Sequence, residues 1–153
     1  ETLNNKKVSI IGAGGAARAI AFGLKEKGCD ITIFNRTTER AEKLSHDVQC
    51  RFKSFEEIHK LNSDILINTT SIGMFPNIDQ TPIPKKILKE GMVVFDAVYN
   101  PTETKLLREA NENGCHTVNG LSMFINQAAE QFRLWTNIDP PIELMTKVVK
   151  EML

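Results

Sequence analysis

The fold of this chain is decided by the stretch VSIIGAGGAARAIAFGLKEKGCDITIFNRT, residues 8–37. In it, an apolar run is followed by a glycine turn, by small and apolar residues at helical spacing, and by a second apolar run. Gly28 stands where the helix is expected to end, because glycine readily adopts the left-handed conformation that terminates helices. This order predicts a β-strand, an α-helix and a second β-strand, the unit from which parallel sheets are built.

Strand and helix signals alternate along the rest of the chain. Strands are predicted at 8–13, 30–35, 50–52, 63–69, 91–97 and 115–119. Helices are predicted at 15–27, 38–47 and 102–113, with a short one after the S-x-x-E capping box of Ser54 and Glu57. The runs ILIN and VVFD are apolar at consecutive positions, as in parallel strands covered on both faces. The sequence therefore predicts an α/β fold, a Rossmann-like doubly wound, mainly parallel sheet with helices on both faces.

Composition and charge exclude several classes of partner. The chain has 153 residues, near the commonest size of a single domain, and a formal net charge of zero. We therefore expect no nucleic-acid partner, and neither a signal peptide nor an apolar run of membrane-spanning length is present in the sequence. The three cysteines show no CxxC spacing and no nearby histidine. The cysteine pattern predicts no metal site, reduced thiols and a cytoplasmic location. The charge balance and the lack of a long apolar run predict no membrane partner.

The turn GAGGAA at 12–17 follows the G-x-G-x-x-G/A pattern of dinucleotide-binding units. Gly12 permits the tight turn, Gly14 lets the main chain approach a pyrophosphate, and Ala17 allows the helix to pack closely on the strand. Free N–H groups at the helix N-terminus then hold the anion. A glycine turn also occurs as a simple strand-to-helix joint, but the second strand at the expected distance favours nucleotide binding.

The residues after the second strand indicate which nucleotide is bound. A carboxylate there binds the ribose 2′-hydroxyl of NAD, whereas an arginine favours the 2′-phosphate of NADP. This chain has Asn35 and Arg36, with Arg40 one turn into the next helix. Each guanidinium can contribute about 1.5–3 kcal/mol through charge-assisted hydrogen bonds to a phosphate. The alternative is that both arginines are solvated, with Arg40 paired to Glu39 or Glu42. The arginines predict NADP as the cofactor.

Residues 70–86, TSIGMFPNIDQTPIPKK, form a predicted loop with three prolines and a glycine. Loops of this length in compact domains are usually functional or mobile. This one leaves the carboxyl end of a strand, which is the edge of a parallel sheet where ligands bind.

Five stretches together resemble the shikimate dehydrogenases, within the shikimate and quinate dehydrogenase family. They are GAGGAAR (12–18), NRT (35–37), INTTSIGM (67–74), FDAVYNPTET (95–104) and GLSMFINQAAEQFRLW (120–135). They cover nearly the whole chain in the family's order. The resemblance implies that residues 1–153 form the NADP-binding domain of an oxidoreductase of aromatic amino-acid biosynthesis. That enzyme interconverts 3-dehydroshikimate and shikimate.

The resemblance also implies a set of ligand contacts. Those at the pyrophosphate are Gly12, Ala13, Gly14, Gly15 and Ala16. Those around the adenosine ribose and its 2′-phosphate are Asn35, Arg36, Thr37 and Arg40. Those beside the nicotinamide are Thr69, Ser71, Val98, Gly120 and Met123, although family members often have methionine where Val98 stands. Tyr99 and Gln127 match residues that reach the substrate. Taken without the resemblance, Tyr99, Gln127 and Met123 would be ordinary core or surface residues.

Catalysis in this family uses a lysine and an aspartate of a separate substrate domain that precedes this one. No residue of this chain corresponds to them, and we interpret Asp96 as structural. We therefore expect this chain to bind NADP but to turn over shikimate negligibly. The alternatives are a quinate/shikimate dehydrogenase of mixed cofactor use and a non-catalytic NADP-binding sensor. A fusion with dehydroquinate dehydratase is a further possibility on which these residues carry no information.

The segment 120–153 is predicted to be helical, with Pro140-Pro141 opening its last helix. Its apolar residues are Ile142, Leu144, Met145, Val148, Val149, Met152 and Leu153. The resemblance implies that this segment returns to the preceding substrate domain. Without that domain, we expect it either to fold onto the sheet or to drive self-association.

Overall fold

The computed structural model describes residues 2–153, and its centre is a six-stranded sheet. The strands are β1 (Lys7–Ile11), β2 (Asp30–Asn35), β3 (Arg51–Ser54), β4 (Ile65–Asn68), β5 (Val93–Asp96) and β6 (His116–Val118). Their order is β3-β2-β1-β4-β5-β6, and all neighbouring pairs are parallel. Strand order reverses between β1 and β4, which creates a crevice at the carboxyl edge. The predicted fold class is confirmed.

Residues 2–153 contain five α-helices and two 3-10 helices, of which α4 and α5 follow the last strand. The α-helices are α1 (Gly15–Glu26), α2 (Thr38–Val48), α3 (Lys105–Glu112), α4 (Leu121–Thr136) and α5 (Ile142–Met152). The 3-10 helices are Phe55–Lys60 and Lys85–Ile87. Within residues 2–153, every helix is too short or too polar to cross a bilayer.

Two apolar cores cover the two faces of the sheet. On one face, Ala17 and Ala21 of α1 and Leu44 of α2 pack against Ile10 and Ile33. On the other face, α3 and the 3-10 helices pack against the sheet, with Leu106 and Ile58 contacting the core that contains Leu66 and Val94. The small side chains of α1 let that helix lie close to β1, which holds its N-terminus at the carboxyl edge.

Some element boundaries differ from the predicted ones for local reasons. β1 ends at Ile11 rather than at 13, because the chain turns at Gly12. The short helix after Ser54 is a 3-10 helix, in which the Ser54 hydroxyl accepts from the Glu56 N–H rather than forming a full capping box. Glu57 contacts Lys60 instead. α3 begins at Lys105, since the Thr104 side chain caps it.

The last helix, α5, begins at Ile142 directly after Pro141, as the proline pair predicts. It packs on α4, and none of its residues is buried. Of the two expected alternatives, α5 therefore does not show the first, folding onto the sheet, and self-association stays a prediction. The apolar side chains exposed in this region include Leu134, Trp135, Leu144 and Met152.

Candidate functional site

The turn after β1 needs glycine at its first position. Gly12 is buried with φ of 108°, a conformation that side-chain-bearing residues rarely adopt, and its N–H donates to the Phe34 carbonyl at 2.8 Å. A Cβ at this position would collide with the Thr69 hydroxyl. Gly12 therefore joins the ends of β1, β2 and β4 at the centre of the carboxyl edge.

The N-terminus of α1 is open to a ligand. A Cβ added to Gly14 or Gly15 would meet no atom within 4 Å, and both residues are exposed. Gly14 occupies the N-cap without a side-chain hydrogen bond, and no acidic residue lies in the first turn. Ala13 and Ala16 are half-buried beside them. The first N–H groups of a helix have no intrahelical acceptor, so this end can bind an anion such as a pyrophosphate.

The end of β2 presents two exposed guanidinium groups. Arg36 and Arg40 are both exposed, as is Thr37, the N-cap residue of α2. The half-buried Asn35 donates from Nδ2 to the Thr37 carbonyl at 2.8 Å, which fixes the turn from which Arg36 extends. In the part of the chain that the structure describes, neither Arg36 nor Arg40 forms an ion pair with a carboxylate. The alternative in which Arg40 pairs with Glu39 or Glu42 is therefore not found. The paired arginines are Arg18, Arg51 and Arg133.

A cavity of about 400 Å³ lies between the end of β2 and the loop after β4. Its lining residues are Ile11, Asn35, Arg36, Phe55, Thr70, Ser71 and Ile72. The cavity brings predicted contacts of the adenosine side together with Ser71. Phe55 was not among the predicted site residues. The available signal was its place directly after β3, the neighbour of β2 in the sheet, where a side chain reaches the same edge.

Thr69 follows β4 and ties that strand to β1. Its hydroxyl donates to the Ile11 carbonyl at 2.7 Å, and its N–H donates to the same oxygen at 2.9 Å. Ser71 is exposed two residues further on. The Thr69 hydroxyl proton is thus engaged within the protein, while its oxygen lone pairs remain able to accept a hydrogen bond.

A buried polar network joins the ends of β4 and β5. The side chains of Asn68, Asp96 and Thr104 are all fully buried. Asp96 accepts from Asn68 Nδ2 at 2.9 Å and from Thr104 Oγ1 at 2.7 Å. Burial raises the pKa of the Asp96 carboxyl above its ordinary value, and the hydrogen bonds from Thr104, Val98 and Asn68 oppose that rise. The position of Asp96 inside this network supports its interpretation as a structural residue.

The segment after β5 packs closely against the start of α4. Gly120 is buried, and a Cβ there would overlap the carbonyl of Ala97 and lie 2.8 Å from the carbonyl oxygen of Val98. The Tyr99 ring stacks on Phe124 of α4, with centroids 4.0 Å apart. Glycine at 120 therefore permits the contact that brings Tyr99 onto α4.

The remaining predicted contacts differ in accessibility. Met123 is half-buried and Gln127 is exposed one helical turn later on the same face of α4. Val98 is only 4% exposed, so it offers a ligand little surface. The Phe75 N–H donates to the Asn100 carbonyl at 3.0 Å, which joins the long loop after β4 to the segment that carries Tyr99.

Two further depressions lie away from these residues. One, of about 360 Å³, lies on the face of β1 to β3, and another, of about 620 Å³, lies at the amino ends of β4 to β6. None of the predicted site residues lines either of them. Among residues 2–153, no group of three or more His, Cys, Asp or Glu side chains is placed to hold a metal ion.

Two family models match almost the whole chain. The Shikimate / quinate 5-dehydrogenase model matches residues 1–121, and the Shikimate 5′-dehydrogenase C-terminal domain model matches residues 120–150. The chain belongs to the shikimate/quinate 5-dehydrogenase family. The resemblance seen in the sequence motifs is thereby confirmed at the level of the family.

Individual members of the family match over most of this chain. Shikimate dehydrogenase (NADP(+)) of Methanosarcina mazei is 46% identical in an alignment 160 positions long, which covers 99% of this chain and 57% of that protein. The bifunctional 3-dehydroquinate dehydratase/shikimate dehydrogenase of Arabidopsis thaliana is 46% identical over 97% of this chain and 25% of its own length. This chain thus spans little more than half the length of the first relative.

Solved structures of the family share the fold. A shikimate dehydrogenase in complex with NADP+ has a TM-score of 0.87 and 41% identity, covering 97% of this chain and 55% of that one. Quinate dehydrogenase from Corynebacterium glutamicum in complex with NAD has a TM-score of 0.87 and 29% identity, covering 95% of this chain and 55% of that one. Family members with this fold are therefore known with both nucleotides.

Proposed function

We propose that this chain is the NADP-binding part of a shikimate dehydrogenase, an enzyme that interconverts 3-dehydroshikimate and shikimate in aromatic amino-acid biosynthesis. The observation that carries the proposal is the exposed guanidinium of Arg36, which lines the cavity at the end of β2 where NAD-binding units have a carboxylate. Two curated relatives that are 46% identical to this chain are named shikimate dehydrogenase (NADP(+)), which supports the proposal.

In this proposal, the open N-terminus of α1 binds the pyrophosphate through backbone N–H groups of residues 12–16, and Arg36 and Arg40 bind the 2′-phosphate. Asn35 and Thr37, in the same turn as Arg36, are proposed to lie beside the adenosine ribose. When bound there, NADP would supply or accept the hydride. The residues proposed to lie beside the nicotinamide are Thr69, Ser71, Val98, Gly120 and Met123.

The substrate is proposed to contact Tyr99 and Gln127. The stack on Phe124 fixes the ring of Tyr99, and Gln127 is exposed on the same helix as Phe124. Both side chains can donate and accept hydrogen bonds, which suits a hydroxylated substrate. The acid–base groups are proposed to lie outside these residues, in a substrate domain to which segment 120–153 returns.

Calorimetric titration with NADP and NAD tests the nucleotide assignment. The chain is expected to bind NADP more tightly than NAD, and Arg36→Ala should lower NADP affinity by about 10- to 100-fold, since a charge-assisted hydrogen bond contributes about 1.5–3 kcal/mol. NAD affinity should change little. Arg108→Ala, an exposed arginine of α3, is the matched control and should bind both nucleotides as the parent does.

Equal affinity of the parent chain for both nucleotides would contradict the role of Arg36 and favour the alternative of a quinate/shikimate dehydrogenase of mixed cofactor use. A quinate dehydrogenase with the same fold has been solved in complex with NAD, which supports considering that alternative.

We further propose that this polypeptide, assayed by itself, turns over shikimate negligibly, because positioned acid–base groups alone contribute about 10²–10⁴ in rate. NADP reduction followed by absorbance should stay at background with the chain alone. A rate comparable to that of the intact M. mazei enzyme would refute this. Binding of NADP by a protein whose full-length form is also inactive would instead support the sensor alternative.

Two other predictions remain part of the proposal. The exposed apolar residues of α5 are proposed to drive self-association of this polypeptide. Reduced thiols and a cytoplasmic location also stay predictions.

A further inference from the structure

We propose that Asp96 is a positioning residue for the nicotinamide half of the coenzyme, acting through the buried network of Asn68, Asp96 and Thr104. This inference rests on the proposed function, because it concerns the same site. Asp96 touches neither coenzyme nor substrate in this proposal. It holds in register the two segments that carry the contacts.

The first segment is the one after β5. Asp96 Oδ1 accepts from the Val98 N–H at 3.1 Å, which fixes the backbone immediately before Tyr99. The other carboxylate oxygen, Oδ2, accepts from Thr104 Oγ1, and Thr104 in turn accepts from the Leu107 N–H to cap α3. One carboxylate therefore sets the path of the chain between β5 and α3.

The second segment is the turn after β4. Asn68 is the register partner of Asp96 in the sheet and donates to it from Nδ2. Because Nδ2 faces a carboxylate, Asn68 Oδ1 is left to accept, and it accepts from Thr70 N at 3.0 Å and from Thr70 Oγ1 at 2.7 Å. Thr70 Oγ1 also accepts from the Ile72 N–H. The turn that holds Thr69 and Ser71 is thus fixed through the amide of Asn68.

The adenosine end of the site has separate supports. Arg36 extends from a turn held by Asn35 and Thr37, and the N-terminus of α1 is positioned by Gly12. The side-chain hydrogen bonds of Asp96, Asn68 and Thr104 join partners within residues 68–107. The turn after β4 also lines the cavity beside Arg36, so loss of the carboxylate should loosen the nicotinamide half most and affect the adenosine half only through that turn.

The test compares NADP with adenosine 2′,5′-bisphosphate, a probe that contains the adenosine half and its 2′-phosphate but no nicotinamide. In Asp96→Asn and Thr104→Val, calorimetry should show NADP affinity reduced about tenfold and affinity for the bisphosphate unchanged within about twofold. Thr104→Ser keeps the hydroxyl, so its NADP affinity should be that of the parent chain. In the full-length protein, kcat should fall in Thr104→Val and return in Thr104→Ser.

Ser9→Ala is the control for a merely structural effect. Ser9 is also a buried polar residue of the sheet, and it hydrogen-bonds to Ser63 away from the carboxyl edge. The Ser9→Ala substitution should lower the urea midpoint of unfolding and leave the affinities for NADP and for the bisphosphate unchanged. Thr104→Val keeps the volume of the side chain, so the test survives if Asp96→Asn does not fold.

Each outcome decides between the two proposals. If the parent chain binds neither NADP nor the bisphosphate, the proposed function is wrong and the positioning role falls with it. If the parent binds both, and the variants weaken both equally or neither, the proposed function stands and the positioning role of Asp96 is wrong.

Discussion

Gly12 shows how one residue type is imposed by backbone geometry. Its positive φ and its close approach to Thr69 both exclude a side chain. We expect Gly12→Ala to lower the free energy of unfolding by about 1–3 kcal/mol and to weaken NADP binding, because the turn must shift away from β4. Urea denaturation and calorimetry measure the two effects.

Gly23→Ala is the matched control for Gly12→Ala. Gly23 lies inside α1, and a Cβ there meets nothing within 4 Å. Alanine should therefore raise the free energy of unfolding by about 0.5–1 kcal/mol, since glycine costs that much in a helix. Equal stability of the two variants would contradict the assigned role of the Gly12 backbone.

At the scale of elements, one ion pair links α1 to α2. Arg18 Nη1 donates to Asp47 Oδ2 at 2.6 Å, and this hydrogen bond lowers the pKa of Asp47 below its ordinary value of 3.8 against the opposing effect of partial burial. The folded state therefore binds this proton less readily than the unfolded state does. The contribution of the pair to stability is complete above pH 3.8 and is lost as the pH falls through the lowered pKa.

The corresponding measurement is an NMR titration of the Asp47 carboxyl. In Arg18→Gln its pKa should rise toward 3.8, whereas Arg108→Gln on α3 should leave it unchanged. A pKa at the ordinary value in the parent protein would show that the pair does not persist in solution.

At the scale of the whole molecule, many of the exposed large apolar side chains belong to α4, to α5 and to the residues between them. Leu144 is 59% exposed and Trp135, the single tryptophan of the chain, is 81% exposed. We expect light scattering of this polypeptide to show a mass that rises with concentration, with a blue shift of Trp135 emission. Leu144→Glu combined with Val148→Lys should abolish the rise in mass, because it replaces exposed apolar side chains with charged ones. The two new side chains are four residues apart, so they can form an ion pair that stabilises the helix.

Lys150→Gln, an exposed position of the same helix, should leave the association of the polypeptide unchanged. A parent chain that stays monomeric at all concentrations would contradict the prediction of self-association.

The fold could be predicted because its determinants are local. Apolar runs such as ILIN mark the strands, and Gly28 and Pro141 mark helix ends at the predicted places. The glycine turn and Arg36 are local signals in the same sense. The pairing of Asn68 with Asp96 could not be predicted, because it depends on the register between strands 28 residues apart. Phe55 was missed although its place directly after β3 was a local signal, because its role depends on β3 lying beside β2 in the sheet.

The reversal of strand order between β1 and β4 divides the proposed coenzyme site into two halves. In the proposed function, the half built on β2 and β3 holds the residues that select the coenzyme, and the half built on β4 to β6 holds the residues beside the nicotinamide and the substrate. On this proposal, substitutions within residues 30–54 would change the coenzyme preference and leave the residues beside the nicotinamide and the substrate unchanged. Chimeras that exchange this segment between NAD-using and NADP-using members should trade preference and retain turnover.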